Sequence, residues 1–309
     1  MIGTASRLGN FRRACAVLLA LAGLAGCADV FFGLIGGGAD THNLDLRNDI
    51  VFDAAHRLKL DVYAPKQAAA APVVVFFYGG SWVEGHRRWY RYVGTALANH
   101  GVITVIADYR KYPEVHFPAF MQDAALAVVW ARAHAAEFGG DAQRLFVMGH
   151  SAGGQIAALL ACDRRYLADA GMQPRDLAGM IGVAGAYAFL PFVDDEPDIF
   201  GNDAQGRYDS QPINFVDGDE PPMLLLQGED DEEVPPDNAQ AMAERAQAMD
   251  GTAALKLYAG VDHSSIMLAL ARGHRTQVPT LADILAFIAA PPRAPPEDGT
   301  PSAPRNLQP

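Results

Sequence analysis

Gly149-His150-Ser151-Ala152-Gly153 fits the pattern G-x-S-x-G. That spacing of small residues lets a serine sit on a tight turn with its Oγ held clear of the backbone. An apolar run, Arg144 to Met148, leads into the motif, and a helical pattern, Gly154 to Ala161, leads out of it. Strand, turn and helix in that order would present a nucleophile for attack on a carbonyl carbon. A neutral serine hydroxyl is a poor nucleophile and needs a base. Two histidines follow Ser151 in the chain. His263 ends Gly260-Val261-Asp262-His263, just past the apolar run Leu255 to Tyr258, whereas His274 stands in the polar string Arg272-Gly273-His274-Arg275 and reads as a surface residue. An acid to orient the imidazole has five candidates in one run, Glu229, Asp230, Asp231, Glu232 and Glu233, among which composition does not choose. The histidines at 42, 56, 86, 100, 116 and 134 lack the spacing of a metal site, so no metal is expected. No G-x-G-x-x-G or phosphate-cradling loop occurs, so no nucleotide cofactor is expected.

These residues need a scaffold, and the apolar pattern supplies one. Residues 58–63 alternate as an antiparallel lead-in strand would, and Val73 to Phe77 is a continuous apolar strand ending at Gly79-Gly80. Further strands are predicted at Val102 to Ala107, Leu145 to Met148, Met180 to Ala184, Met223 to Leu226 and Leu255 to Tyr258. Continuous apolar strands are buried on both faces, which marks a parallel sheet. Helical patterns fall near 88–100 and over 119–137, the latter stopped by Gly139-Gly140. The predicted class is α/β, a mostly parallel central sheet with helices on both faces. Residues 188–220 lack strong periodicity and are the candidate insertion, or lid, over the site.

Tyr78-Gly79-Gly80-Ser81-Trp82, Asp108-Tyr109-Arg110, Phe117-Pro118-Ala119 with Asp123, the elbow at Ser151 and the late acid and histidine together resemble the α/β-hydrolase fold. Within it they look like the carboxylesterase and hormone-sensitive-lipase-like branch, and the run from Tyr78 through Gly153 is also similar to isoprenylcysteine methylesterases and kynurenine formamidase-like enzymes. The resemblance implies the chain order serine, acid, histidine, which leaves His263 or His274 as base and favours His263 by its place at a strand end. The frame Gly228, Asp231, Val234, Pro235 resembles the acid loop of this superfamily and selects Asp231, with Asp230 second. It also implies an oxyanion hole built from the N–H groups of Gly80, Ser81 and Ala152, with Gly79 shaping the turn. Tyr78 departs from the family, which places a histidine first in this loop. Asp108 and Arg110 carry structural roles by the same resemblance. The implied activity is hydrolysis of a small carboxylic ester through an acyl-enzyme. An arylformamidase-like amide hydrolase or peptidase on the same fold, and a non-catalytic envelope binding module, are the alternatives.

The two ends differ from the middle. Arg7, Arg12 and Arg13 precede a short apolar run, Ala14 to Ala22, as in a secretory signal. Leu24-Ala25-Gly26-Cys27 resembles a bacterial lipobox, which implies lipidation of Cys27 and, with Ala28 following, an outer-membrane anchor facing the periplasm. The expected organisation is a leader over 1–26, a tether over 27–42, a catalytic domain over 43–290 and a Pro-rich disordered tail over 291–309. The formal charge is −12. Such a surface argues against nucleic acid as a partner and adds no attraction to anionic lipid. Cys15 belongs to the leader, leaving Cys162 as a lone thiol that can form neither an internal disulfide nor a cysteine metal site, and a buried packing role is expected for it.

Overall fold

The computed structural model describes Ile35 and residues 40–194, 196–273 and 278–290. Eight strands, β1 (Leu44–Asp53), β2 (Leu58–Pro65), β3 (Ala71–Phe77), β4 (Ile103–Ala107), β5 (Gly140–His150), β6 (Gly179–Val183), β7 (Met223–Gly228) and β8 (Ala253–Tyr258), form one sheet. Their order is β1-β2-β4-β3-β5-β6-β7-β8, and every pairing from β4 to β8 is parallel. Only β1–β2 and β2–β4 are antiparallel, as the alternation in 58–63 predicts. Val73, Val74, Val75, Phe76 and Phe77 are each at most 1% exposed, so this strand is covered on both faces.

The covering layers are helices α1 (Arg91–Ala98), α2 (Ala119–His134), α3 (Ala152–Cys162), α4 (Arg164–Asp169), α5 (Glu196–Phe200), α6 (Ala204–Asp209), α7 (Asp237–Ala248), α8 (Ser265–Leu268) and α9 (Thr280–Ala289). α1 packs against α9, and α2 against α3. The helix expected near 88–100 is shorter than its pattern, because 87–90 winds as a 3-10 turn before α1. The long helix over 119–137 likewise ends as α2 at His134 and tightens into a 3-10 turn, which Gly139 closes at a φ of 78°. β1 is absent from the apolar pattern. It is an edge strand that carries Asp45, Arg47 and Asn48 and pairs with β2 through two register shifts, so its period-2 signal is broken.

A parallel sheet sends its crossover loops out at the carboxyl ends of the strands, where sites form. The loops after β3, β5, β7 and β8 carry the residues at 78–82, 151–152, 229–233 and 260–263 respectively. Residues 188–220 contain α5, α6 and a 3-10 turn at Pro212–Phe215, with no strand among those described.

Candidate active site

The turn between β5 and α3 forces Ser151 to a φ of 54° and ψ of −124°. A non-glycine residue in that region costs about 1–3 kcal/mol and is held there only by its surroundings. One such hold is the Ser151 N–H, which donates to the Val183 carbonyl at 3.0 Å. Close approach of α3 to β3 is the other, since a Cβ on Gly153 would run into the Phe77 carbonyl. The Ser151 side chain stays half-buried, and among the described residues its hydroxyl makes no hydrogen bond.

His263 Nδ1 donates to Asp231 Oδ2 at 2.8 Å, and both residues are buried. The acid is held from four directions. Asp231 Oδ2 also accepts from Gln227 Nε2 at 2.8 Å, and Oδ1 accepts from the N–H groups of Glu233 at 3.0 Å and Val234 at 2.9 Å. Burial alone would raise the Asp231 pKa, but the bonds from His263, Val234 and Gln227 outweigh it and keep the carboxyl below its ordinary value. Glu229, Asp230, Glu232 and Glu233 are exposed, so burial separates Asp231 from the other four acids. Glu233 Oε2 nevertheless comes within 3.8 Å of His263 Nε2, the nitrogen on the open side of the ring.

The loop after β3 runs through three successive positive φ values, 125° at Gly80, 49° at Ser81 and 60° at Trp82. At Gly80 a Cβ would also strike the Glu84 backbone, so glycine is required there. The Gly79 N–H is taken by Tyr90 Oη at 3.3 Å. The Gly80 and Ser81 N–H groups donate to no acceptor among the described residues. Ala152 N–H is the first amide of α3 and has no partner within the helix.

Tyr78 is fully buried and donates to Asp108 Oδ1 at 3.1 Å, while Lys111 Nζ donates to its hydroxyl at 3.1 Å. Tyr109 stacks on it at 4.8 Å. The tyrosine therefore fills the space below the loop and is anchored at its far end. Asp108 also pairs with the buried Arg87, and Arg110 closes on Asp123 with contacts of 2.6 and 2.9 Å. Above the loop, the Trp82 indole N–H donates to Gln155 Oε1 on α3 at 3.1 Å. Phe189 stacks on Trp82 at 5.5 Å and Phe200 meets it edge-on at 4.8 Å, so residues from 188–220 form an aromatic wall with the loop. Beyond that wall, Phe117 and Phe200 help line a cavity of about 570 Å³ between α2, α4 and α6.

The sequence pattern gave no role to Tyr90 or His150. His150 is the variable residue of the motif, and its ring lies 4.8 Å from that of His263. One trio of potential ligands, Asp53, His56 and Asp123, brings three ligand atoms within 4.8 Å of one another among the described residues, but the Asp123 carboxylate is committed to Arg110. Cys162 is buried, and burial, with Glu220, Asp217 and Asp163 nearby, pushes its thiol pKa well above the ordinary value. Cys27, the leader, residues 291–309 and His274 lie outside the described residues.

A family model described as the prolyl oligopeptidase family matches residues 122–291, more than half of the chain, and the BD-FAE model matches residues 60–176. An isoprenylcysteine alpha-carbonyl methylesterase of Arabidopsis thaliana is 29% identical, over 72% of this chain and 57% of that protein. Esterase LipC of Mycobacterium tuberculosis is 31% identical, over 62% of this chain and 52% of its own length. The chain thus spans little more than half the length of these relatives. Among solved structures, a truncated carbohydrate esterase from gut microbiota superposes with a TM-score of 0.70 at 19% identity, covering 81% of this chain and 98% of that one. An esterase of Pyrobaculum calidifontis superposes with a TM-score of 0.68 at 22% identity, covering 84% and 88%. At those identities the superpositions speak for the fold. The chain belongs to the prolyl oligopeptidase family and has the α/β-hydrolase fold.

Proposed function

We propose that this chain is a serine hydrolase that cleaves a small carboxylic ester by two-step acyl transfer. The observation that carries the reading is the buried His263–Asp231 pair, 2.8 Å apart, at the carboxyl ends of the strands, as is a serine held at positive φ. His263 Nε2 removes the Ser151 proton as Oγ attacks the ester carbonyl carbon. The oxyanion is received by the N–H groups of Gly80, Ser81 and Ala152, with Gly79 shaping the turn. Asp231 steadies the imidazolium, which then hands its proton to the departing alkoxide. Water, deprotonated by His263, releases the acid and restores Ser151. Trp82 and the segment 188–220 wall the acyl or alcohol pocket, with that segment as its lid. Support comes from the relatives named as esterases.

Fluorophosphonate labelling of the wild type, lost in Ser151→Ala, tests the nucleophile. A p-nitrophenyl ester series run beside N-formylkynurenine and a dipeptide amide tests the reaction class. Turnover of the amides with none of the esters would overturn the ester reading, and a folded wild type that takes neither probe nor substrate would overturn the enzyme reading. The same proposal places the protein in the bacterial envelope through a lipid on Cys27, on the strength of its sequence pattern alone. Among the described residues no helix is long and apolar enough to cross a membrane. Metabolic labelling with a fatty-acid analogue, compared with Cys27→Ser, tests the anchor.

A further inference from the structure

Three loops must keep register for the proposed reaction, and one side chain connects them. His150 lies on β5 next to Ser151 and is 7% exposed. Its Nε2 is 3.2 Å from the His263 carbonyl oxygen, and its Nδ1 is 3.2 Å from Tyr90 Oη. A carbonyl only accepts, so Nε2 carries the ring proton. In a neutral ring Nδ1 then only accepts, and the Tyr90 hydroxyl is its donor. That hydroxyl keeps a lone pair for the Gly79 N–H at 3.3 Å. The chain of bonds runs Gly79 N–H to Tyr90, Tyr90 O–H to His150, and His150 N–H to the His263 backbone. Burial, together with the neighbouring His263, pushes the His150 pKa down to about 3, which keeps the ring neutral as that bonding requires.

The contacts are tight as well as directional. A Cβ on Gly79 would meet Ser151 Cβ at 3.0 Å and His150 Nδ1 at 3.1 Å, so the oxyanion loop rests against the elbow itself. His263 is gripped at two points, its backbone by His150 and its ring by Asp231. With both fixed, the direction of its Nε2 is set. We propose that His150 is a positioning residue for ester hydrolysis, a clamp that holds the oxyanion loop, through Tyr90, and the base loop, through the His263 carbonyl, in register around Ser151.

The inference rests on the hydrolase reading, so its test carries one readout that needs no turnover. Full-length wild type is compared with Tyr90→Phe, His150→Asn, His150→Gln and the double variant Tyr90→Phe/His150→Asn. Asn ends near the position of Nδ1 and loses the donor to His263, whereas Gln reaches the position of Nε2 and keeps it. On a short p-nitrophenyl ester, His150→Asn is expected to lower kcat ~10-fold with KM within ~2-fold, because misplacement of a positioned base acts on the chemical step. His150→Gln keeps the donor to His263 but offers the Tyr90 hydroxyl no acceptor at the place of Nδ1, so it and Tyr90→Phe are each expected to lower kcat ~5-fold. The double variant is expected to lie within ~2-fold of the worse single, since both cut one chain of bonds. Amide hydrogen exchange supplies the second arm. Tyr90→Phe and His150→Asn are each expected to speed exchange both in 78–85 and in 260–266. Kcat values that stay within two-fold in every variant, single effects that multiply in the double, or faster exchange confined to one loop would each overturn the clamp. If wild type turns over no ester, the hydrolase reading falls and exchange alone decides the coupling. Tyr90→Phe removes one oxygen from the core and carries both arms should His150→Asn fail to fold.

Discussion

At the scale of single residues, the acid and the neighbouring histidine make separable predictions. Asp231 accepts four hydrogen bonds and is buried, whereas Asp230 beside it is exposed. Asp231→Asn would favour the wrong histidine tautomer and is expected to lower kcat by up to about 10⁴-fold, while Asp230→Asn should stay within about two-fold. Equal losses in the two variants, measured on one ester at saturation, would remove Asp231 from the mechanism. His150 makes a claim about stability. Its pKa is lowered from 6.5 to about 3 by burial, so between those values the unfolded chain binds a proton that the native one refuses. Its contribution is therefore complete above pH 6.5 and declines as pH falls toward 3, by at most about 1.4 kcal/mol per pH unit. Urea unfolding between pH 6.5 and 5, above most carboxylate titrations, should show a falling midpoint in wild type and a flatter one in His150→Gln. Matching slopes would mean that another group titrates there. Cys162, buried with a raised thiol pKa, should resist alkylation in the native protein and react once it is unfolded, as mapped by peptide mass.

At the scale of elements, Phe200 ends α5 and stands between Trp82 and the cavity that it lines with Phe117. Phe200→Ala would take out the ring that separates the two. The expected result is an ester chain-length optimum shifted to longer acyl groups, at a stability cost of about 3–5 kcal/mol for the lost core aromatic. A p-nitrophenyl series from acetate to laurate checks it, and an unshifted optimum would place the cavity outside the acyl path. How far such elements could be read in the sequence depends on where their constraints lie. β3, β5 and β7 were legible because Val73 to Phe77, Leu145 to Met148 and Met223 to Leu226 are continuous apolar runs, the signature of burial on both faces. The elbow was legible because its constraint is local, small residues around Ser151. β1 was not, because Asp45, Arg47 and Asn48 lie on a bulged edge. The choice of acid came from a family frame, since five adjacent acids differ only in burial, a property of the folded loop. Tyr90 was beyond reach for the same reason. It meets His150 across sixty positions of sequence, and no local pattern marks such a contact.

At the scale of the whole molecule, the proposed ester hydrolysis carries a prediction about charge. The chain carries −12, and the exposed Glu229, Asp230, Glu232 and Glu233 surround the buried Asp231 on the loop after β7. Glu233 reaches within 3.8 Å of His263 Nε2. A field of one sign over a cleft raises the local concentration of the opposite charge and is screened by salt, with a Debye length of about 10 Å at 0.1 M. For matched substrates that differ only in the alcohol, kcat/KM at low salt should follow the order cationic, neutral, anionic. The spread should narrow as salt rises toward about 0.5 M, while the neutral ester changes little. Glu233→Gln removes the carboxylate 3.8 Å from His263 Nε2, the atom that would protonate the leaving group in the proposed reaction. It should cut the cation-to-anion ratio more than Glu229→Gln, which carries the same formal charge change farther from the imidazole. Equal effects of the two substitutions would assign the preference to net charge alone. A salt-independent ratio that Glu233→Gln still lowers would assign it to contact with the departing alcohol. Only the combination of a salt-dependent spread and a dominant Glu233 makes the acidic rim a steering surface with its focus at His263.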